Sequence, residues 1–197
     1  MHSLLLGILG FALFLLYDVN SFTWRSRLLH KAFALGAVLL AGATALDLAA
    51  AFQVGAFSGF EDGVLLGAGA LCLAALIYCL FFALPFSETY QDAGGPPAVC
   101  DRGVYALCRH PGVLCLLGMY LFWGLGALPA AMLLRNGLIF SGLNTAYVCF
   151  QDRITFPRTF PDYPDYQKTV PFLIPTGTSI RAAWRTRRRS AEEEGSP

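Results

Sequence analysis

Several stretches of this chain are apolar and long enough to cross a lipid bilayer, and no other feature constrains its fold as much. A membrane-spanning helix needs about 20 mainly apolar residues for a hydrocarbon core about 30 Å thick. Met1 to Tyr17 has no charged side chain, Ala32 to Phe52 has only Asp47, and Gly63 to Phe86 has none. The first segment also admits reading as a secretory signal peptide. It lacks a basic start and a small-x-small cleavage site, however, and Asp18, Asn20, Phe22 and Trp24 follow it. Pro111 to Phe150 is apolar apart from Arg135 and a Gly124, Gly126, Pro129 interruption. At 1.5 Å per residue it measures about 60 Å, two crossings with almost no loop. It therefore reads as a tight helical hairpin turning at Gly126-Ala127-Leu128-Pro129, with Pro111 in the first turn of its first helix.

Composition agrees. Hydrophobic residues make up 56 % of the 197 and charged residues 14 %, against roughly 45–50 % and about 25 % in soluble domains. On a globular surface that excess would form aggregating patches. A net charge of +1 excludes a nucleic-acid partner for the chain as a whole, which would need a basic surface. Cys72, Cys79, Cys100, Cys108, Cys115 and Cys149 show no metal-ligand spacing and read as small hydrophobes kept reduced.

Arg25, Arg27 and Lys31 follow the first span, whereas the next connection has only Glu61 and Asp62. Arg102 and Arg109 precede the fourth span, and eight Lys or Arg follow Phe150. Five spans with the N-terminus outside and the C-terminus cytoplasmic satisfy the positive-inside rule, in a bacterial inner membrane or an endoplasmic reticulum membrane alike. The expected fold is an all-α integral membrane protein with one transmembrane domain over 1–175, and an irregular cytoplasmic cap beginning at Gln151. In the cap Pro157, Pro161, Pro164, Pro171 and Pro175 alternate with aromatic residues, too many prolines for a long helix and too many rings for a solvated linker. Residues 176–197, basic and then acidic, read as a disordered tail near anionic headgroups.

Ionisable residues beside apolar helices are where chemistry is expected in such a chain. Two clusters qualify: Gly103-Val104-Tyr105-Ala106-Leu107-Cys108-Arg109-His110-Pro111, leading into the fourth span, and Gln151-Asp152-Arg153, following the fifth. A hairpin would bring both to one membrane edge. Gly-x-Tyr-x-x-x-Arg-His-Pro ahead of a hairpin resembles the signature of the isoprenylcysteine carboxyl methyltransferase and phospholipid N-methyltransferase superfamily. The likeness runs over 103–175. It continues in Gln151-Asp152, where that family has an acid pair, in Phe160-Pro161-Asp162-Tyr163-Pro164-Asp165-Tyr166, and in Val170-Pro171-Phe172-Leu173-Ile174-Pro175. Val113 and Cys115 stand where the family has Tyr and Gly, and Pro161 where it has Gly.

The resemblance implies a membrane methyltransferase that uses S-adenosylmethionine on a lipophilic acceptor: an isoprenylcysteine carboxylate, a phospholipid amine or a similar compound. Carried over by position, Arg109, His110 and Asp152 would be catalytic. Tyr105, Arg109, His110, Pro111, Gln151, Asp152, Tyr163 and Tyr166 would bind the cofactor, with Asp152 facing its cationic end and the last two tyrosines closing the site. Two other functions stay open: an NADPH-dependent membrane reductase of similar architecture, and a non-catalytic relative serving as an interaction module. The same residues have plainer roles, Arg109 as a snorkelling anchor and the tyrosines as interfacial rings. Asp47 and Arg135 read as snorkelling or mutually paired charges, and Gly118, Gly124, Gly126, Gly137 and Gly142 as helix-packing positions. Lipids are the expected surroundings, and no oligomeric state is readable.

Overall fold

The computed structural model describes residues 2–83 and 98–194. Met1, the expected end of the third span at 84–86 and the last three residues lie outside them. Among the described residues all regular structure is helical. The helices are α1 (His2–Phe22), α2 (Lys31–Gln53), α3 (Phe60–Phe81), α4 (Val104–Leu107), α5 (Pro111–Gly126), α6 (Ala131–Phe150), α7 (Phe156–Thr159), α8 (Tyr163–Thr169) and α9 (Gly177–Glu194). Contacts divide the chain into two compact units, Met1–Leu73 with Leu116–Thr155, and Ala74–Cys115 with Phe156–Pro197.

Three helices, α1, α2 and α3, are long and apolar enough to cross a membrane. Helix α5 is apolar but has 16 residues, about 24 Å of rise, short of the hydrocarbon thickness. In α6 the residues Arg135, Asn136, Ser141, Asn144 and Thr145 dilute the apolar character.

The first unit exposes apolar side chains and turns polar ones inward, beside buried rings such as Phe11, Phe14 and Phe140. Leu5, Leu9, Leu35, Val38, Leu46, Val64 and Leu71 are exposed, while Ser3, Asp18, Asn20, Asp47, Asn136 and Ser141 are buried. A chain solvated by lipid acquires this pattern, because acyl chains accept leucine readily and cannot satisfy a carboxylate or an amide. Asp47 neither snorkels nor meets Arg135 directly. The Asn136 amide nitrogen donates to Asp47 Oδ2 at 2.8 Å and to Ser3 Oγ at 3.3 Å, and its oxygen accepts from the Arg135 guanidinium at 3.2 Å. One buried amide thus ties α1, α2 and α6 together.

Small residues set how closely these helices approach. A Cβ on Gly10 would lie 2.8 Å from the Gly36 carbonyl oxygen, and one on Gly36 would lie 2.7 Å from that of Gly10. Helices α1 and α2 therefore touch backbone to backbone. A Cβ on Gly124 would meet Leu134 at 2.7 Å and one on Gly137 would meet Tyr120 at 2.6 Å, across a short 3-10 turn at Leu128–Ala130. Gly118 and Gly126 are also closely approached, whereas Gly142 has open space around it and is no packing position.

Beyond α6 the helix widens into a π-turn at Gln151–Thr155 before α7. Pro157 has no N–H to return to the carbonyl four residues back, and a wider turn accommodates that missing bond. In the second unit, residues 177–194 form α9, not the disordered tail expected of that composition. The start is fixed locally: the Ser179 amide donates to Thr176 Oγ1 at 3.2 Å while the Thr176 amide donates to Ser179 Oγ at 2.9 Å, a reciprocal cap that composition alone does not reveal.

Gly10→Leu should force α1 and α2 apart and destabilise the protein by about 1–3 kcal/mol. Gly42→Ala, with nothing within 4 Å of its added methyl, should keep or slightly raise the thermal midpoint in detergent, since alanine is the better helix former.

Candidate functional site

Of the three stretches that carry the family resemblance within the second unit, 103–111 is distant in sequence from 160–166 and 170–175, and backbone bonds stitch it to the last of them. The Arg109 amide donates to the Pro171 carbonyl at 2.9 Å and the His110 amide to that of Phe172 at 3.3 Å. The Arg109 side chain repeats the link: Nη1 donates to the carbonyls of Val170 at 2.6 Å and Gln167 at 3.1 Å. Those carbonyls lie at the end of α8, where helix geometry leaves acceptors without helical donors and a guanidinium is a natural partner. The third stretch joins through Tyr166, whose hydroxyl donates to the Tyr105 carbonyl at 2.7 Å; the Tyr105 hydroxyl donates in turn to the Cys79 carbonyl at 2.8 Å.

Aromatic rings surround the Arg-His-Pro segment. His110, 7 % exposed, stacks on Phe156 with centroids 5.9 Å apart and meets the edge of Phe172 at 5.1 Å. The Arg109 guanidinium carbon lies 5.6 Å from the Phe172 ring centroid, within cation–π range. Phe156 also meets Tyr163 at 5.3 Å, and Tyr163 meets Tyr166 at 5.7 Å. With Phe160 and Val170 the two tyrosines make a buried cluster. They are core residues of this unit as well as the residues that the resemblance assigns to closing a site. Pro111 opens α5 and lets the chain leave the segment as a helix.

Gly103 begins the motif for a backbone reason. Its φ of 60° and ψ of −126° belong to a region that residues with a Cβ rarely enter. A methyl added at this position would find nothing within 4 Å, so the requirement is conformational, not steric.

Gln151 and Asp152 belong to the other unit. Both are in the π-turn, which packs against α1, and Asp152 is buried. The Gln151 amide donates to the Tyr147 hydroxyl at 2.9 Å. Beside them lies Asp18 of α1, 3 % exposed, with Oδ2 buried and without a hydrogen-bond partner. Gln151, Tyr147 and Thr155 are the side chains placed to hydrogen-bond the rest of its carboxyl group. Sequence reasoning passes over Asp18 as a mark of the first span's end. Its signal, one acid closing an otherwise uncharged run, is present but nonspecific.

Two titratable groups of the second unit are shifted by burial. Burial is the first cause that pushes the Tyr166 phenol above its ordinary 10.0 and the Cys108 thiol above its ordinary 9.0. A phenol raised in the folded state loses nothing below pH about 10 and destabilises the fold as pH climbs beyond it. Comparison of the chain with family models, with curated proteins and with solved structures yields no match.

Tyr166→Phe should lower stability by about 1 kcal/mol at neutral pH, through the lost bond to Tyr105. It should also flatten part of the alkaline decline above pH 10.0, both measured by thermal unfolding in detergent. Gly103→Ala should cost about 1–3 kcal/mol although its methyl meets nothing.

Proposed function

We propose that this chain is an integral membrane methyltransferase that transfers a methyl group from S-adenosylmethionine to a lipophilic acceptor: an isoprenylcysteine carboxylate, a phospholipid amine or a similar compound. In this reading α5 and α6 form the fourth and fifth spans as a hairpin, with the N-terminus outside and the C-terminus cytoplasmic. The observation that carries the reading is the assembly of Gly103–Pro111 with Tyr166 and with 170–172 in one unit, through backbone and side-chain bonds.

The residues fit the cofactor chemically. An arginine suits a carboxylate, and the rings of Phe156, Tyr163, Tyr166 and Phe172 suit both an adenine and a sulfonium charge. When bound, the cofactor would supply an electrophilic methyl group on a cationic sulfur. The chain's own task is alignment and exclusion of water, so a strong general base is not required at the site. Arg109 and His110 would hold the cofactor, and Tyr105 and Pro111 would fix their segment. Gln151 and Asp152 are assigned as cofactor contacts by the resemblance.

A second reading is favoured by one observation. Arg109 Nη1 donates to two carbonyls of its own chain, which is the behaviour of a structural strut. A non-catalytic relative would keep that strut and serve as an interaction module.

Calorimetric titration of the detergent-solubilised chain separates these readings. S-adenosylmethionine should bind, and His110→Ala and Asp152→Asn should each weaken binding by about ten-fold, the loss of one hydrogen bond to a charged group. Their thermal midpoints report whether the fold survives. Absence of heat at millimolar cofactor would refute the methyltransferase and leave the scaffold, while binding of NADPH instead would identify a reductase.

A further inference from the structure

Helix α9 shows two faces of different character, and among the described residues one of them packs against the rest of its unit while the other is exposed. Ser179, Ala183 and Thr186 follow one another at spacings of four and three, which places them on one side of the helix. Ser179 and Ala183 are buried, and Thr186 Oγ1 accepts the Gly103 amide at 3.3 Å, so this side packs against α4. The other side carries Ile180 and Trp184, 44 % and 70 % exposed, one turn apart. Arg181 and Arg185, both exposed, run beside them at the same spacing. The four side chains line a shallow surface depression of about 410 Å³. Ile174, ahead of the helix, is 78 % exposed.

We propose that this face is a docking surface for the anionic headgroups of the membrane in which the chain resides, with α9 lying along the bilayer surface. Three observations select that occupant. The pairing of an exposed tryptophan and isoleucine with two arginines combines an apolar wedge with cationic contacts, as suits the boundary between acyl chains and phosphates. The charge complements phosphate: Arg181 and Arg185 stand on the exposed face, and the sequence adds Arg187, Arg188 and Arg189 in the same helix. Three helices of the chain are fit to cross a membrane, so a lipid surface is near without any binding event, and each weak contact acts at high effective concentration. Glu192, Glu193 and Glu194 follow in sequence with charge of the lipid's own sign, so the complementary charge belongs to the arginine-bearing turns. The inference stands on α9 and on the three apolar helices, and does not depend on the methyltransferase reading.

The test uses the full chain in nanodiscs of phosphatidylcholine alone and of an equal mixture with phosphatidylglycerol, each prepared with brominated acyl chains. The fluorescence of Trp184 is obtained by subtracting the spectrum of Trp184→Phe, a substitution at an exposed position. Bromine quenching of that component should be at least about three-fold stronger in the anionic discs and should weaken as salt is raised. The double variant Arg181→Gln, Arg185→Gln should abolish the difference while its circular dichroism stays helical. Equal quenching in the two compositions, or an undiminished difference in the double variant, would overturn the proposal. So would displacement by millimolar inorganic phosphate, which would mark a soluble-anion site.

Discussion

Hydrocarbon offers no hydrogen bonds, so every backbone N–H and C=O within it must find its partner inside the chain, and the architecture of the first unit answers to that demand. Helices α1, α2 and α3 meet it with their own ladders. Polar side chains meet it by turning inward: Asn136 serves Asp47, Ser3 and Arg135 at once. The approach of α1 to α2 at Gly10 and Gly36 follows from the same circumstance. Where solvent gives apolar surfaces no reason to associate, close van der Waals contact between backbones takes over that role.

The second unit faces the complementary problem of an irregular, proline-rich segment that cannot form a ladder. Prolines 157, 161, 164, 171 and 175 remove donors and break helices, so the carbonyls around them need donors from elsewhere. Arg109 and His110 provide them, two through backbone amides and two through one guanidinium nitrogen. The same geometry brings aromatic faces around His110. An architectural device and a binding site can share these atoms, since a strut that holds a segment in place also defines the surface that a ligand would meet.

Much of this is legible in the sequence. Long runs of apolar residues specify α1, α2 and α3, because a helix satisfies every backbone group within its own segment, as lipid requires. Glycines at 118, 124, 126 and 137 are readable as contact points since a missing Cβ has few other uses in an apolar helix. Gly142 shows the limit: which face a glycine occupies depends on its neighbours, and there the neighbours are absent. Asp47 is visible as an acid within a span, but the amide that serves it is 89 residues away. Asp18 shows in the sequence only as an acid closing an uncharged run, and its burial beside the π-turn follows from how residues 151–155 pack against α1. Helix α9 escapes a reading by composition, which reports average polarity, while a Thr176–Ser179 cap and a single packed stripe decide whether a segment orders. Among the site residues, the segment from Gly103 to Pro111 is legible as a unit. That Tyr163 and Tyr166 are core residues emerges only from the three-dimensional packing.

The proposed function needs the Arg-His-Pro segment to be fastened to the C-terminal segment and a cofactor to bind upon this fastening. Hydrogen exchange of the Arg109 and His110 amides in the full chain, with and without S-adenosylmethionine, tests both requirements directly. Both amides should exchange as slowly as helical amides of α8 and should slow further when the cofactor is added. Exchange at the rate of an unstructured loop, or rates that the cofactor leaves unchanged, would contradict this view of the site.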